Sequence, residues 1–339
     1  MKLSPRIHQF FDQYLFHIRG VSHNTIQSYR DTFKLFLPFA AKHYGIKIKS
    51  LRLEHISSAL IIAFLNELQE ERKNLPKTRN SRLAAIKSFA KMIRLMYPEH
   101  RKLADSILDM PQKRFQKTII GFLYPEEMLQ LFHSVDLKRK EGFRDYTILH
   151  LLYDSAARAS EIATLNLDHF NPKEKTLLIL GKGNRHRLIE LENKTSQLLQ
   201  LYIRQYRTTP KPQYRHRIFI NQRGEEFTRH GIFRICNKYL TMTLTPKRLK
   251  YISSVHSFRH SRAVNMLYRG RHLTEIMNRL GHDNLKTTSI YLQLDLRHRR
   301  DIQKKLIRYF ESILTLDPKI EEFIVWENDE DLMNWLDTL

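Results

Sequence analysis

The chain contains a single cysteine, Cys236, among its 339 residues. One thiol excludes an internal disulfide framework and any zinc module built on cysteines; it fits a reducing cytoplasm, with packing as its expected role. Long apolar runs are missing too: none reaches the roughly 18 residues that a membrane span needs. Charges in Met1–His8 stand where a secretory signal would have its apolar region, so the expected protein is soluble, cytoplasmic and not exported. No internal repeat and no low-complexity tract is present. The basic regions also lack the cluster of carboxylates with which metal-dependent nucleases hold two divalent ions.

What is abundant is positive charge. Lysine and arginine number 58 against 35 acidic residues, a formal net charge of +23. So large an excess repels itself unless a polyanion neutralises it, which makes nucleic acid the first expected partner. The basic stretches are interleaved with apolar positions, and 42% of the residues are hydrophobic, enough for a core in each of two ordinary domains. The charge therefore belongs to folded surfaces rather than to a basic tail.

Periodicity divides the chain. Four apolar stripes at helical spacing fill the first hundred residues: Ile7 to Ile18 in a helix starting at Ser4, with Ser4 as its cap; Ile26 to Phe36; Ile61 to Leu68; and Leu83 to Ile93, which runs up to Pro98. They predict a small helical bundle over 1–110. On the fourth stripe Arg79, Arg82, Lys87, Lys91 and Arg94 add cations beside the apolar face, as a helix lying on a phosphate backbone needs; a plain solvated face is the other reading. Residues 111–120, with Pro111, Lys113, Arg114 and Lys117, read as a basic linker.

A second domain is expected over 121–310, mostly helical with a small sheet. Thr176–Leu180 and Arg185–Leu191 flank a Gly-Lys-Gly-Asn turn and predict a hairpin with Lys182 at its tip, while Arg217–Asn221 is a further short strand. Residues 311–339 reverse the charge, with nine acidic side chains against Lys319 alone, and read as a docking tail on its own domain or on a neighbouring copy.

Arginines, a lysine, histidines and a tyrosine are the set needed when positive side chains replace metal ions around a pentacoordinate phosphorus. His256 and Arg259 share a helical face through their spacing of three. A glycine turn, Gly281, then leads to His282, and Tyr291 follows nine positions later. A zinc reading of His256 and His260 lacks a third ligand, so no metal is expected.

The stretch from His256 to Tyr291 resembles the hallmark region of the tyrosine recombinases, the phage-integrase family. Upstream, Asp154-Ser155-Ala156-Ala157-Arg158-Ala159-Ser160-Glu161 is similar to that family's first-arginine motif, and Leu180-Gly181-Lys182-Gly183-Asn184-Arg185 to its catalytic-lysine hairpin. The likeness covers about residues 5 to 300. It implies a mainly α fold with a small β-sheet, in which a helical core-binding domain and an α+β catalytic domain form a clamp around double-stranded DNA.

It also implies the chemistry. Tyr291 is the nucleophile that forms a 3′-phosphotyrosyl link, Arg158 and Arg259 hold the non-bridging oxygens, Lys182 protonates the leaving 5′-oxygen, and His256 and His282 bond the phosphate and assist the tyrosine's proton. Glu161 either supports one of these residues or merely stabilises its helix. No cofactor is implied; the partners are a specific DNA site and further copies in a homotetramer, with integration, excision, transposition or dimer resolution as the role. A type IB topoisomerase, a telomere resolvase and a non-cleaving DNA-binding protein of the same fold are the alternatives. One departure stands at Ala156, where the family often has glycine. If the site needs positive φ, alanine costs roughly 1 kcal/mol there, whereas a turn with negative φ accepts it.

Overall fold

The computed structural model describes residues 1–115, 121–181, 185–282, 285–288 and 291. The chain separates into two compact units, Met1–Thr118 and Ile119–Leu339.

The first unit is helical. α1 (Leu3–Gln9) runs on into a π-helical stretch, Phe10–Ile18, and is followed by α2 (His23–His43), α3 (Ser58–Glu70), α4 (Pro76–Met96) and α5 (Arg101–Leu108). The N-cap falls at Lys2, in extended conformation and two residues before the expected Ser4, so Ser4 lies inside the helix and caps nothing. Pro5 is tolerated there because the first turn has no internal acceptor for its missing N–H. Ser57 caps α3 as its type predicts, accepting the Leu60 N–H at 3.2 Å.

Aromatic rings fill the centre of this unit. Phe10 is fully buried, with ring centroids of Phe11, Tyr14, Phe33 and Phe89 within 5.1–6.0 Å. The beginning of the expected linker is tied down: the buried Asn80 amide donates to the Lys113 carbonyl at 2.9 Å and accepts the Lys113 N–H at 3.0 Å. An asparagine side chain can pair with a peptide group in both directions, which explains why an irregular segment packs against α4.

The second unit is built around α7 (Lys140–Ser155), in which every residue from Gly142 to Ser155 is buried. A helix buried on all sides belongs in the middle of a domain, and its charged neighbours Arg144 and Asp145 pair with each other there. Before it comes α6 (Pro125–His133); after it come α8 (Ala159–Ala163) and a three-stranded antiparallel sheet, β1 (Phe170–Asn171), β2 (Thr176–Leu180) and β3 (His186–Glu190). Leu178 pairs with Leu188 and Leu180 with His186, so Leu177 and Ile179 point into the core. The expected strand Arg217–Asn221 forms only isolated bridges, Asn166 with Arg217 and Ile220 with Glu226. The sheet's third strand is instead Phe170–Asn171, which is too short to show an alternating pattern in the sequence.

The rest is helical: α9 (Asn193–Leu201), α10 (Arg229–Thr243), α11 (Pro246–Leu249), α12 (Ser254–Tyr268), α13 (Leu273–Leu280) and α14 (Leu285–Thr288). Among the described residues no helix is long and apolar enough to cross a membrane. The acidic segment 311–339 lies outside the described residues.

Truncating Phe10 to alanine removes the ring on which the first unit's aromatic cluster is stacked. The expected loss is about 3–5 kcal/mol of unfolding free energy, measured by urea denaturation.

Candidate active site

α7 ends where the chain must reverse to begin α8. Ala156 makes the reversal with φ +53° and ψ +27°, in the left-handed region that glycine enters freely and alanine only at a cost of roughly 1 kcal/mol. Several contacts hold it there. The Ser155 hydroxyl donates to Leu151 O, and the Ala157 N–H returns to Ser155 Oγ at 3.2 Å. Arg279 donates to the Asp154 carbonyl at 2.8 and 3.0 Å and to its carboxylate at 2.8 Å, and Arg262 meets the same carboxylate at 3.1 Å. The turn thus presents the Ala156 carbonyl on one side and Arg158 at the head of α8 on the other.

Glu161, in the first turn of α8, is 5% exposed and has four donors within 3.2 Å. The Arg158 N–H and Nη1 reach it at 2.9 and 2.7 Å, and Arg187 Nη1 and Nη2 at 3.2 and 2.6 Å. Burial alone raises its pKa, but the bonds and charge of Arg187 and then of Arg158 outweigh burial and hold the carboxyl below its ordinary value. Between the two alternatives left open by the sequence, Glu161 supports the arginine.

Arg259, on α12, is 4% exposed and spans the site. Its Nη1 donates to the Ala156 carbonyl at 2.8 Å and its Nη2 to the Leu280 carbonyl, tying together the two turns that precede Arg158 and His282. Burial, followed by the positive charge of Arg158, pushes its pKa down to about 9. It remains charged at neutral pH and under-compensated, the state in which an incoming anion is most strongly attracted. α13 closes with Gly281 at φ +60°, after which the His282 N–H bonds the Met277 carbonyl at 3.1 Å. The His282 ring lies 2.9 Å from the buried Thr288 hydroxyl through Nδ1. Arg158, Arg185, His186, Arg187 and His282 line an open cleft of about 450 Å³, whose walls offer guanidinium and imidazole groups to an anion.

Tyr291 is 1% exposed, and its hydroxyl lies 2.7 Å from Nδ1 of His260. His256, the histidine expected to serve the tyrosine, is exposed one turn away, with its ring 6.3 Å from that of His260. The reading of the sequence missed His260: the spacing of four between the two histidines was visible, but which one meets the phenol depends on how α12 is rotated. Burial pushes the Tyr291 hydroxyl up to about 12, only partly offset by Arg259, so in this conformation the phenol keeps its proton. Burial, then the charges of His256, Arg259 and His282, push His260 down to about 4, so its ring is neutral and meets the phenol as a hydrogen-bond partner rather than as a cation.

A profile described as the phage integrase family matches residues 121–298, and one described as its N-terminal SAM-like domain matches residues 7–94. The chain belongs to the phage integrase family. A relative in Sinorhizobium fredii, named as an integrase/recombinase, is 32% identical over 87% of this chain and 88% of its own. The tyrosine recombinase XerC of Anoxybacillus flavithermus is 29% identical over 86% of this chain and 93% of its own. The fold is shared with the XerH recombinase in a post-cleavage complex with its difH substrate (TM-score 0.65, 19% identity, 84% of this chain and 80% of that one). It is shared as well with the Tn1549 transposon integrase in complex with transposon right-end DNA (TM-score 0.64, 16% identity, 90% and 99%).

Within this phage-integrase chain the remaining expected residues are placed as follows. Lys182 lies outside the described residues, between the two strands of the hairpin. The five cations expected to meet DNA, Arg79, Arg82, Lys87, Lys91 and Arg94, all lie on α4. Arg82 donates to the Thr32 hydroxyl at 3.1 Å and Lys87 to the Leu108 carbonyl at 2.5 Å, so both serve the bundle. Arg94 pairs with Asp105 at 3.4 Å, Arg79 is half-buried, and Lys91 is exposed. Among the described residues no three histidine, cysteine or acidic side chains gather to hold a metal.

A histidine in the unfolded chain takes its proton near 6.5, whereas folded His260 does so only near 4. Acid therefore protonates the unfolded state first, and His260 costs stability progressively from about pH 6.5 down to 4, on the order of 3 kcal/mol at most. Urea unfolding of the wild type and of His260→Gln across that range is expected to show a steeper loss in the wild type.

Proposed function

We propose that the chain is a site-specific DNA recombinase that cuts and rejoins a phosphodiester through Tyr291. The observation that carries the reading is the convergence around Arg259: it bonds the turn before Arg158 and the turn before His282, and its charge acts on Tyr291. Residues from three distant stretches of the chain thus gather positive charge beside one phenol, which is what in-line attack on a phosphate diester requires.

In this mechanism Arg158 and Arg259 bind the non-bridging oxygens of the scissile phosphate and stabilise the charge that grows on them, the part played by metal ions elsewhere. His282, oriented by Thr288, and His256, exposed on α12, add hydrogen bonds to the same phosphate. Tyr291 Oη attacks phosphorus as its proton passes to one of the histidines His256 and His282, and the 5′-oxygen departs with a proton supplied by Lys182, giving a 3′-phosphotyrosyl ester and a free 5′-hydroxyl. The ester retains the energy of the broken bond, so a 5′-hydroxyl from a second duplex reverses the step without a nucleotide or any other cofactor. Because the phenol is buried and bonded to His260, engagement of DNA must first bring it to the phosphate.

The partner is double-stranded DNA carrying a specific recombination site. The net charge of +23 and the exposed cations of α4, among them Lys91 and Arg94, provide the backbone attraction. Exchange between two sites requires four active tyrosines, hence a homotetramer on two DNA sites. A protein that acts on DNA in this way is expected in the cytoplasm at the nucleoid, in integration, excision, transposition or dimer resolution.

On a nicked suicide duplex the wild type is expected to form a protease-sensitive covalent adduct that maps to Tyr291. Tyr291→Phe is expected to form none while binding the duplex with affinity within about two-fold, because a single hydroxyl buried in the protein adds little to DNA contact. A protein that only binds DNA would give no adduct in either form.

A further inference from the structure

Arg187 belongs to none of the catalytic roles above, yet it meets the chain beside three of them. It lies on β3, one strand of the hairpin whose turn carries Lys182. Its side chain is 12% exposed and makes two bonds to Glu161, the carboxylate that holds Arg158, while its Nε donates to the Arg279 carbonyl at 3.1 Å. Two glycines let the guanidinium in. A Cβ on Gly281, which directly precedes His282, would stand 3.0 Å from Arg187 Nη1. A Cβ on Gly181, which directly precedes Lys182, would stand 3.4 Å from the same nitrogen and 3.7 Å from Glu161 Oε1.

We infer that Arg187 is a positioning residue that locks the hairpin bearing the leaving-group acid against the arginine that grips the phosphate. The physical case is one of rigidity and charge. A two-stranded hairpin tip has few contacts of its own, and a proton donor displaced by an ångström loses most of its effect. Arg187 supplies the missing restraint with a bidentate ion pair at its inner end, where solvent is excluded. Lysine at this position keeps the charge but has no planar fork with which to meet Glu161 and the Arg279 carbonyl together.

The inference rests on the proposed roles of Tyr291, Arg158 and Lys182, and its test keeps the two apart. Single-turnover cleavage by the full chain is measured on two suicide duplexes, one with the natural 5′-oxygen leaving group and one with sulfur in its place, which departs without a proton. Arg187→Ala is expected to slow cleavage of the oxygen duplex by about 10²-fold, the usual worth of a positioned general acid, and to regain at least about ten-fold on the sulfur duplex. DNA affinity is expected to stay near wild type, while the melting temperature falls because the buried Glu161 loses a bidentate partner; if the alanine variant does not fold, Arg187→Lys, which keeps a cation beside Glu161, carries the same comparison with a smaller loss. Equal losses on both duplexes, or no loss on either, would overturn the assignment. A wild type that forms no adduct on either duplex would instead overturn the proposed function itself.

Discussion

Five guanidinium groups crowd around the end of α7, and two buried carboxylates hold them there. Asp154 takes Arg262 and Arg279, Glu161 takes Arg158 and Arg187, and Arg259 finds only carbonyl oxygens. Like charges at this spacing repel by amounts that become large away from water, so the arrangement stands only because each acid is shared. The remaining imbalance favours a phosphate. A site with positive charge left over after its internal pairs are made gains more from an arriving anion than one already neutralised, and Arg259, whose side-chain bonds go to the Ala156 and Leu280 carbonyls, contributes to that excess.

The same constraint explains the strained backbone. Ala156 adopts a left-handed conformation because the carbonyl it presents to Arg259 and the helix start it gives Arg158 both require the chain to turn there. A cost of about 1 kcal/mol is small beside the desolvation of an unpaired guanidinium. Strain at a functional turn is sustained by its neighbours, here by Arg279 on the Asp154 carbonyl and by the Ser155 hydroxyl.

The tyrosine is arranged differently from the arginines of the cleft. Arg158 and Arg187 line an open cleft, whereas Tyr291, like Arg259, is enclosed; its phenol is bonded to a neutral histidine, and burial keeps its proton on. The guanidinium groups of the cleft are thus open to solvent, while the phenol of Tyr291 is enclosed by its own domain.

Much of this was legible in the sequence. The excess of cations and the missing carboxylate cluster pointed to nucleic acid and to phosphate chemistry without metal ions, while Arg158, Lys182, His256, Arg259, His282 and Tyr291 were singled out together by the likeness of their motifs to those of the phage-integrase family. Helices were readable wherever one face is apolar, as in α2 and α4; β1 was not, since two residues have no period, and Arg217–Asn221 looked like a strand but found no ladder to join. Only the folded chain decided that His260 rather than His256 meets the tyrosine, that Arg187 serves Glu161, and that two of the five cations on α4 are spent inside their own bundle. Those are facts about helix rotation and about groups far apart in the chain, and local spacing carries no record of either.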